Sequence, residues 1–183
     1  MQPRSTRPAG SGPGRIRGLV SRSGPVSSYG TAAGTGALAV LLLVGICGSP
    51  AYTRWAADTL TSPDSAGGYY LRLLAWPAWL VDADGQAGGL FAANLRAVLL
   101  VVLAVALLYL LPAAQVARVP GSISQFFSGW AAYVLAGGLA AVLAALLGPD
   151  PSMLGALQEA SAGAGYGFLT GWIIGTASLG GRA

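Results

Sequence analysis

The chain has 183 residues, of which 54% are hydrophobic and only 9% are charged. A soluble domain carries about 25% charged residues, so this composition excludes a water-soluble globular protein and predicts an integral membrane protein. The ten basic residues are all arginine, histidine is absent and Cys47 is the only cysteine, so the sequence predicts no metal site, no disulfide and no bound cofactor.

The first 31 residues form a basic tail rich in glycine, proline, serine and arginine. The tail contains five arginines and no acidic residue, and it has too few apolar side chains to bury a core, so we expect it to be disordered. We expect its arginines to contact the anionic headgroups of the lipid bilayer. No nucleic-acid partner is expected, because no set of base-reading side chains accompanies the arginines.

A first membrane span is predicted over residues 32–50, with its most apolar part from Ala37 to Cys47. This apolar part is short, which leaves a cleaved signal peptide as an alternative. A retained span is favoured because further apolar segments follow it along the chain.

Residues 51–90 form the predicted extracytoplasmic loop. Within it, the apolar stretch 71–81 has eleven residues, which as a helix would cover about half of a hydrocarbon core about 30 Å thick. Pro77 interrupts this stretch. We therefore expect an interfacial cap on the outer side, with Trp76 and Trp79 at the depth of the lipid headgroups.

Three further spans are predicted over residues 91–112, 128–148 and 162–180, and residues 181–183 follow as a cytoplasmic end. Seven arginines lie in the segments that this layout places inside, against three in the outer segments. Because cytoplasmic segments carry an excess of basic residues, both termini are predicted to be cytoplasmic.

Charged residues are expected only near the ends of the spans. Arg96 lies near the outer end of the second span, where it can reach the headgroups or form an exposed ion pair with Asp82 or Asp84. Glu159 belongs to a predicted outer loop over residues 149–161. No set of carboxylates, histidines or paired nucleophiles is expected at depth, so the sequence predicts no catalytic site and no enzyme.

Glycines recur every four residues in the fourth span. Four-residue steps return to nearly the same helical face, which predicts a helix-packing stripe formed by Gly163, Gly167, Gly171 and Gly175. Tyr166 is placed on the opposite side of this helix. The third span carries a stripe of small residues that includes Ala136, Ala140 and Ala144. We predict that the third and fourth spans pack through these two faces, with a homo-oligomer interface or a pore-lining helix as alternatives.

These observations predict an all-α bundle of four transmembrane helices in the plasma membrane. The predicted function is that of a non-catalytic accessory or scaffold subunit of a membrane complex, whose partner is another membrane protein or a second copy of the chain. The alternative is a small oligomeric transporter or channel component. A continuous polar path that reaches the middle of the membrane would favour the alternative, and a tightly packed bundle would favour the first function.

Overall fold

The computed structural model describes residues 26–60, 65–81, 87–114, 122–149 and 151–182. Residues 1–25 of the predicted tail, Asp82 and Asp84 lie outside the described residues, whereas residues 26–31 of that tail are helical. Within the described part, the chain is all-helical and contains no strand. The α-helices are α1 (Val26–Cys47), α2 (Pro50–Thr59), α3 (Ala66–Leu74), α4 (Ala87–Ala114), α5 (Ser122–Leu146) and α6 (Met153–Leu179), and a 3₁₀ turn (Gly180–Arg182) follows α6.

Two of the described helices are long and apolar enough to cross a membrane: Gly89–Leu111 within α4, and Ser122–Leu146, which is α5. A third candidate arises if Ala32–Cys47 and Pro50–Thr59, which are bent by 58° relative to each other, form one broken span. The all-helical architecture predicted from the sequence is therefore confirmed for the described residues, and two or three candidate spans are found among them.

Helix α6 is not among these candidates, although a fourth span was predicted over residues 162–180. Its glycines, serines and threonines lower its mean hydropathy. The helix also begins at Met153, within the loop predicted over 149–161. The hydroxyl of Ser152 accepts a hydrogen bond from the backbone N–H of Gly155 at 3.0 Å, and this N-cap allows α6 to start close to the end of α5.

Helices α1, α4, α5 and α6 surround one buried core. Its largest fully buried side chains include Val40 and Val44 of α1, Leu100 of α4, Tyr133 of α5 and Tyr166 of α6. Large apolar side chains are nevertheless exposed on the outside of the bundle, as on α1 at Leu38, Leu41, Leu42 and Ile46. An outer surface of this kind is suited to lipid rather than to water.

The bundle is tightly closed at the end where Ser178 lies, here named the Ser178 end. A methyl group on Gly36 of α1 would lie 2.9 Å from the Ser178 hydroxyl oxygen, and one on Gly129 of α5 would lie 2.7 Å from it. The same methyl on Gly36 would lie 3.2 Å from Leu108 of α4. All four long helices therefore approach one another closely at this point, and a methyl group at Gly36 or Gly129 would force the Ser178 side chain to move.

Helix α1 ends well before the opposite end of the bundle, here named the Glu159 end. Gly36 packs beside Ser178, and α1 stops eleven residues later at Cys47, which corresponds to about 16 Å of helix. Helix α6 continues from Ser178 back to Met153 over 25 residues, or about 37 Å. Beyond Cys47, α1 therefore no longer lies beside α4, α5 and α6. Other parts of the chain can occupy the space that a longer α1 would fill.

Residues 75–81 fold against the end of α1. The backbone N–H of Trp79 donates to the carbonyl of Gly48 at 2.8 Å, and its indole N–H donates to the carbonyl of Val44 at 3.2 Å. On the other side, the amide of Asn94 in α4 forms two hydrogen bonds with the backbone of Leu80, at 2.9 and 3.0 Å. Trp79 is thus held against the end of α1, and its position at headgroup depth stays a prediction.

Helix α3 also lies along the bundle rather than only at its end. The indole N–H of Trp172 in α6 donates to the Tyr70 hydroxyl of α3 at 3.1 Å. Trp172 is six residues from Ser178, or about 9 Å along α6. Part of the predicted interfacial cap therefore reaches the half of α6 nearer the Ser178 end.

Candidate functional site

The four glycines of the predicted stripe lie at the contact between α5 and α6. A methyl group on Gly167 would lie 2.7 Å from the Cα of Val134 and 2.8 Å from the carbonyl oxygen of Tyr133. A methyl on Gly175 would lie 2.8 Å from the carbonyl oxygen of Phe126. Gly163 and Gly171 make similarly close approaches to Gly137 and Trp130. The two backbones are therefore in direct contact along about 18 Å of α6.

The α5 residues closest to these glycines are not the predicted alanines. Ala136 and Ala140 are fully buried, but they belong to the core cluster that contains Leu100 and Ala104 of α4. Ala144 is also buried and lines a cavity at the Glu159 end. The alanine stripe and the face of α5 that meets the glycines are thus neighbouring faces of one helix, because α5 packs against α4 and α6 at the same time.

Arg96 lies inside the bundle rather than at its rim. It is seven residues from the start of the candidate span Gly89–Leu111, which places it about 10 Å along the helix from that start. Its side chain is only 24% exposed. The structure gives Arg96 partners on two segments, and the predicted ion pair with Asp82 or Asp84 lies outside the described residues.

The first of these partners is Glu159 of α6, whose carboxylate oxygen lies 3.7 Å from an Arg96 Nη atom. The other Nη atom donates to the backbone carbonyl of Trp76 at 3.2 Å. The guanidinium carbon lies 4.5 Å from the centroid of the Trp76 ring, within the range of a cation–π interaction. The remaining donor, Nε, is buried and has no hydrogen-bond partner among the described residues.

Trp76 connects this arginine to two buried tyrosines. Its ring stacks on Tyr166 with centroids 4.8 Å apart and an angle of 25° between the planes. The hydroxyls of Tyr166 and Tyr133 lie 3.1 Å apart and form a hydrogen bond. The sequence placed Tyr166 on the side of α6 opposite the glycines, and the structure buries it there to 1% exposure against Trp76 and Tyr133. The position of Trp76 at headgroup depth stays a prediction.

A cavity of about 410 Å³ lies beside Arg96 at the Glu159 end, between α4, α5 and α6. Its walls are mostly alanine and glycine, and the polar side chains that line it are those of Arg96, Ser152, Gln158 and Glu159. Of the residues that line the cavity, Arg96 lies farthest from the start of α4, and Glu159 lies farthest from the start of α6. Arg96 is 24% exposed and Glu159 is 49% exposed, so one partly buried cation and one more exposed anion lie at a cavity with small walls.

This arrangement can recognise charge, and it offers no set of metal ligands. Within the described ranges, no three acidic, cysteine or histidine side chains come close enough to hold a metal ion. Sequence reasoning missed the site because its two charges are 63 residues apart, and only the fold brings them together. No protein-family model, curated protein or solved structure matches the chain.

Proposed function

We propose that the protein is a multi-pass plasma-membrane protein that serves as a non-catalytic accessory or scaffold subunit of a membrane complex. The observation that carries this proposal is the contact between the α5 and α6 backbones at Gly163, Gly167 and Gly175. A contact of this kind leaves no water-filled gap between the two helices and favours a permanently packed bundle. The closed Ser178 end gives the same support, since four helices meet there around one serine.

In the proposed topology, α4, α5 and α6 each cross the membrane once, and α1 with the bent α2 forms the remaining crossing. Helix α6 would cross despite its lower hydropathy, because α5 covers its glycine face. The distribution of arginines supports a cytoplasmic Ser178 end and cytoplasmic termini. Arg96 and Glu159 would then face the outer side, and the basic tail would contact anionic lipid headgroups and a cytoplasmic partner.

The topology can be tested by cysteine labelling with a reagent that does not cross membranes. In a Cys47→Ser background, a cysteine in place of Ser152 should be labelled in intact cells. A cysteine in place of Ser5 should be labelled only after the membrane is permeabilised. The opposite pattern would overturn the proposed orientation.

The scaffold role can be tested on tagged full-length protein expressed at its natural level and extracted in mild detergent. We expect the protein to migrate in a particle that contains a defined second protein, or a second copy, in fixed stoichiometry after chemical cross-linking in the membrane. Light scattering would give the protein mass of the particle. A stable particle of a single 18.3 kDa chain, with no cross-linked partner, would contradict the proposal.

The cavity at the Glu159 end supports a second candidate, a small oligomeric transporter or channel component. Two charges, those of Arg96 and Glu159, lie at this cavity. The bundle is tightly packed around Ser178 at its other end. Transport would therefore require the helices to separate at Gly36 and Gly129. Solute flux into liposomes that contain the purified protein, above the flux into protein-free liposomes, would favour this function over the scaffold.

A further inference from the structure

We propose that the cavity beside Arg96 binds a zwitterionic group, with an oxyanion next to Arg96 and an ammonium next to Glu159. This chemistry is shared by the phosphoethanolamine headgroup of a membrane lipid and by small soluble zwitterions such as amino acids. The proposal concerns a ligand of the bundle itself and does not depend on the scaffold role.

The cavity is of a suitable size, and its walls carry short side chains. Its volume of about 410 Å³ lies within the range of about 300–1,000 Å³ that is typical of small-molecule sites. The walls are formed by residues such as Ala92 and Ala93 of α4, Ala145 of α5 and Gly155 of α6. None of these side chains is long enough to fill the space.

The two charges at the cavity are incompletely paired with each other. The closest distance between Arg96 and Glu159 is 3.7 Å, longer than the roughly 2.7–2.9 Å of a charge-assisted hydrogen bond. Nε of Arg96 is buried without a partner in the part of the chain that the structure describes. The Arg96 side chain lines the cavity, so a ligand oxyanion can bind the Nη atom that faces Glu159, whereas the buried Nε lies out of its reach.

The arrangement favours a zwitterion over a simple anion. One Nη atom of Arg96 is already bonded to the carbonyl of Trp76, and the guanidinium lies over the indole ring. An anion that approached the remaining donors would also approach the carboxylate of Glu159, which would repel it. A ligand that carries its own ammonium group turns this repulsion into attraction, because the ammonium can bind the carboxylate.

Full-length protein purified in detergent provides the test, with the melting temperature and native mass spectrometry as readouts. The soluble probes are phosphoethanolamine, glycine and inorganic phosphate, and the lipid probes are phosphatidylethanolamine and phosphatidylglycerol. We expect a zwitterionic probe to raise the melting temperature and to remain bound, and its anionic counterpart to bind about tenfold more weakly. Binding of a soluble zwitterion would identify a soluble ligand, and binding of phosphatidylethanolamine alone would identify a lipid headgroup.

Three variants locate the ligand in the cavity. Ala145→Leu fills the cavity while both charges remain, and it should abolish binding; Arg96→Gln and Glu159→Gln should each weaken binding about tenfold or more. The matched control is Ala131→Leu, on the same helix but at an exposed position, which should bind like the wild type. If Arg96→Gln fails to fold, Ala145→Leu and Glu159→Gln still decide the question.

Three results would overturn the proposal. The first is that none of the zwitterionic probes binds. The second is that inorganic phosphate or phosphatidylglycerol binds as tightly as the zwitterions and is unaffected by Glu159→Gln. The third is that a folded Ala145→Leu protein keeps wild-type affinity.

Discussion

The guanidinium of Arg96 lies 4.5 Å from the ring centroid of Trp76, and one of its nitrogens donates to the Trp76 carbonyl. The arginine thus contacts both the ring and the backbone of the same residue. Because Trp76 follows α3 and Arg96 is inside α4, this contact fixes the segment 75–81 against the bundle. It also covers a charge that would otherwise be exposed to the apolar interior, so the segment and the arginine depend on each other.

Replacement of Trp76 by alanine should destabilise the whole bundle. The change removes the cation–π contact with Arg96 and the stacking on Tyr166, and it leaves a gap between α4 and α6. We expect the free energy of unfolding to fall by about 2–4 kcal/mol. Unfolding in mixed micelles, followed by far-ultraviolet circular dichroism, would measure the loss.

Two further variants serve as controls for Trp76→Ala. Trp76→Phe keeps an aromatic face for Arg96 and should recover part of the lost stability. Trp55→Ala removes an indole that is 44% exposed on α2, and it should cost clearly less. Equal losses for Trp76→Ala and Trp55→Ala would mean that the Arg96 contact contributes little.

A single methyl group at the α5–α6 contact should force the two helices apart. Gly167→Ala would place its Cβ 2.7 Å from the Cα of Val134, and a backbone atom cannot move aside as a side chain can. We expect Gly167→Ala to lower the stability by about 1–3 kcal/mol. The melting temperature in a fixed detergent would report the change.

Gly165→Ala is the matched control on the same helix. A methyl group there meets nothing within 4 Å, and alanine favours a helix over glycine by about 0.5–1 kcal/mol. This variant should therefore be as stable as the wild type or slightly more stable. A loss of stability in both variants would show that helix α6 tolerates no added side chain, and the contact with α5 would not be the cause.

The sequence predicts the apolar helices well, because hydropathy is a local property. The spans predicted at 91–112 and 128–148 correspond to α4 and α5, with ends that differ by up to six residues. The start of α6 was missed because Glu159 was assigned to an outer loop by its charge. Residues 153–160 are nevertheless mostly strong helix formers, and Ser152 supplies an N-cap.

The candidate site could not be predicted in the same way, because it depends on where α1 ends. The apolar stretch 71–81 is too short to cross a membrane, and from the sequence alone an interfacial position follows. In the structure, α1 stops at Cys47, and the space beyond it receives Trp76 and Trp79. Arg96 then finds its partners inside the bundle, a relationship that no local pattern in the chain encodes.

The hydrogen bond between the hydroxyls of Tyr133 and Tyr166 should appear as a coupling between two substitutions. Either Tyr→Phe change alone leaves one buried hydroxyl without its partner and should cost about 1–2 kcal/mol. The double change removes both hydroxyls while keeping both rings, so it should cost less than the sum of the single changes by about 1 kcal/mol. A double-mutant cycle of unfolding free energies would measure this, and strictly additive losses would contradict a direct bond.

The amide of Asn94 should control how firmly the segment 75–81 is held. Its Oδ1 accepts from the N–H of Leu80 at 3.0 Å, and its Nδ2 donates to the carbonyl of the same residue at 2.9 Å. Asn94→Ala removes both bonds, worth about 1–2 kcal/mol together, so the Leu80 amide should exchange with solvent deuterium about tenfold faster. Mass spectrometry of the peptide that contains Leu80 would detect the change.

Val98→Ala, one turn further along α4 at a position that is 45% exposed, should leave the exchange rate of the Leu80 amide unaltered. If Asn94→Ala also leaves this exchange rate unaltered, the contacts of Trp76 and Trp79 are what hold the segment 75–81, and the two hydrogen bonds between Asn94 and Leu80 contribute little.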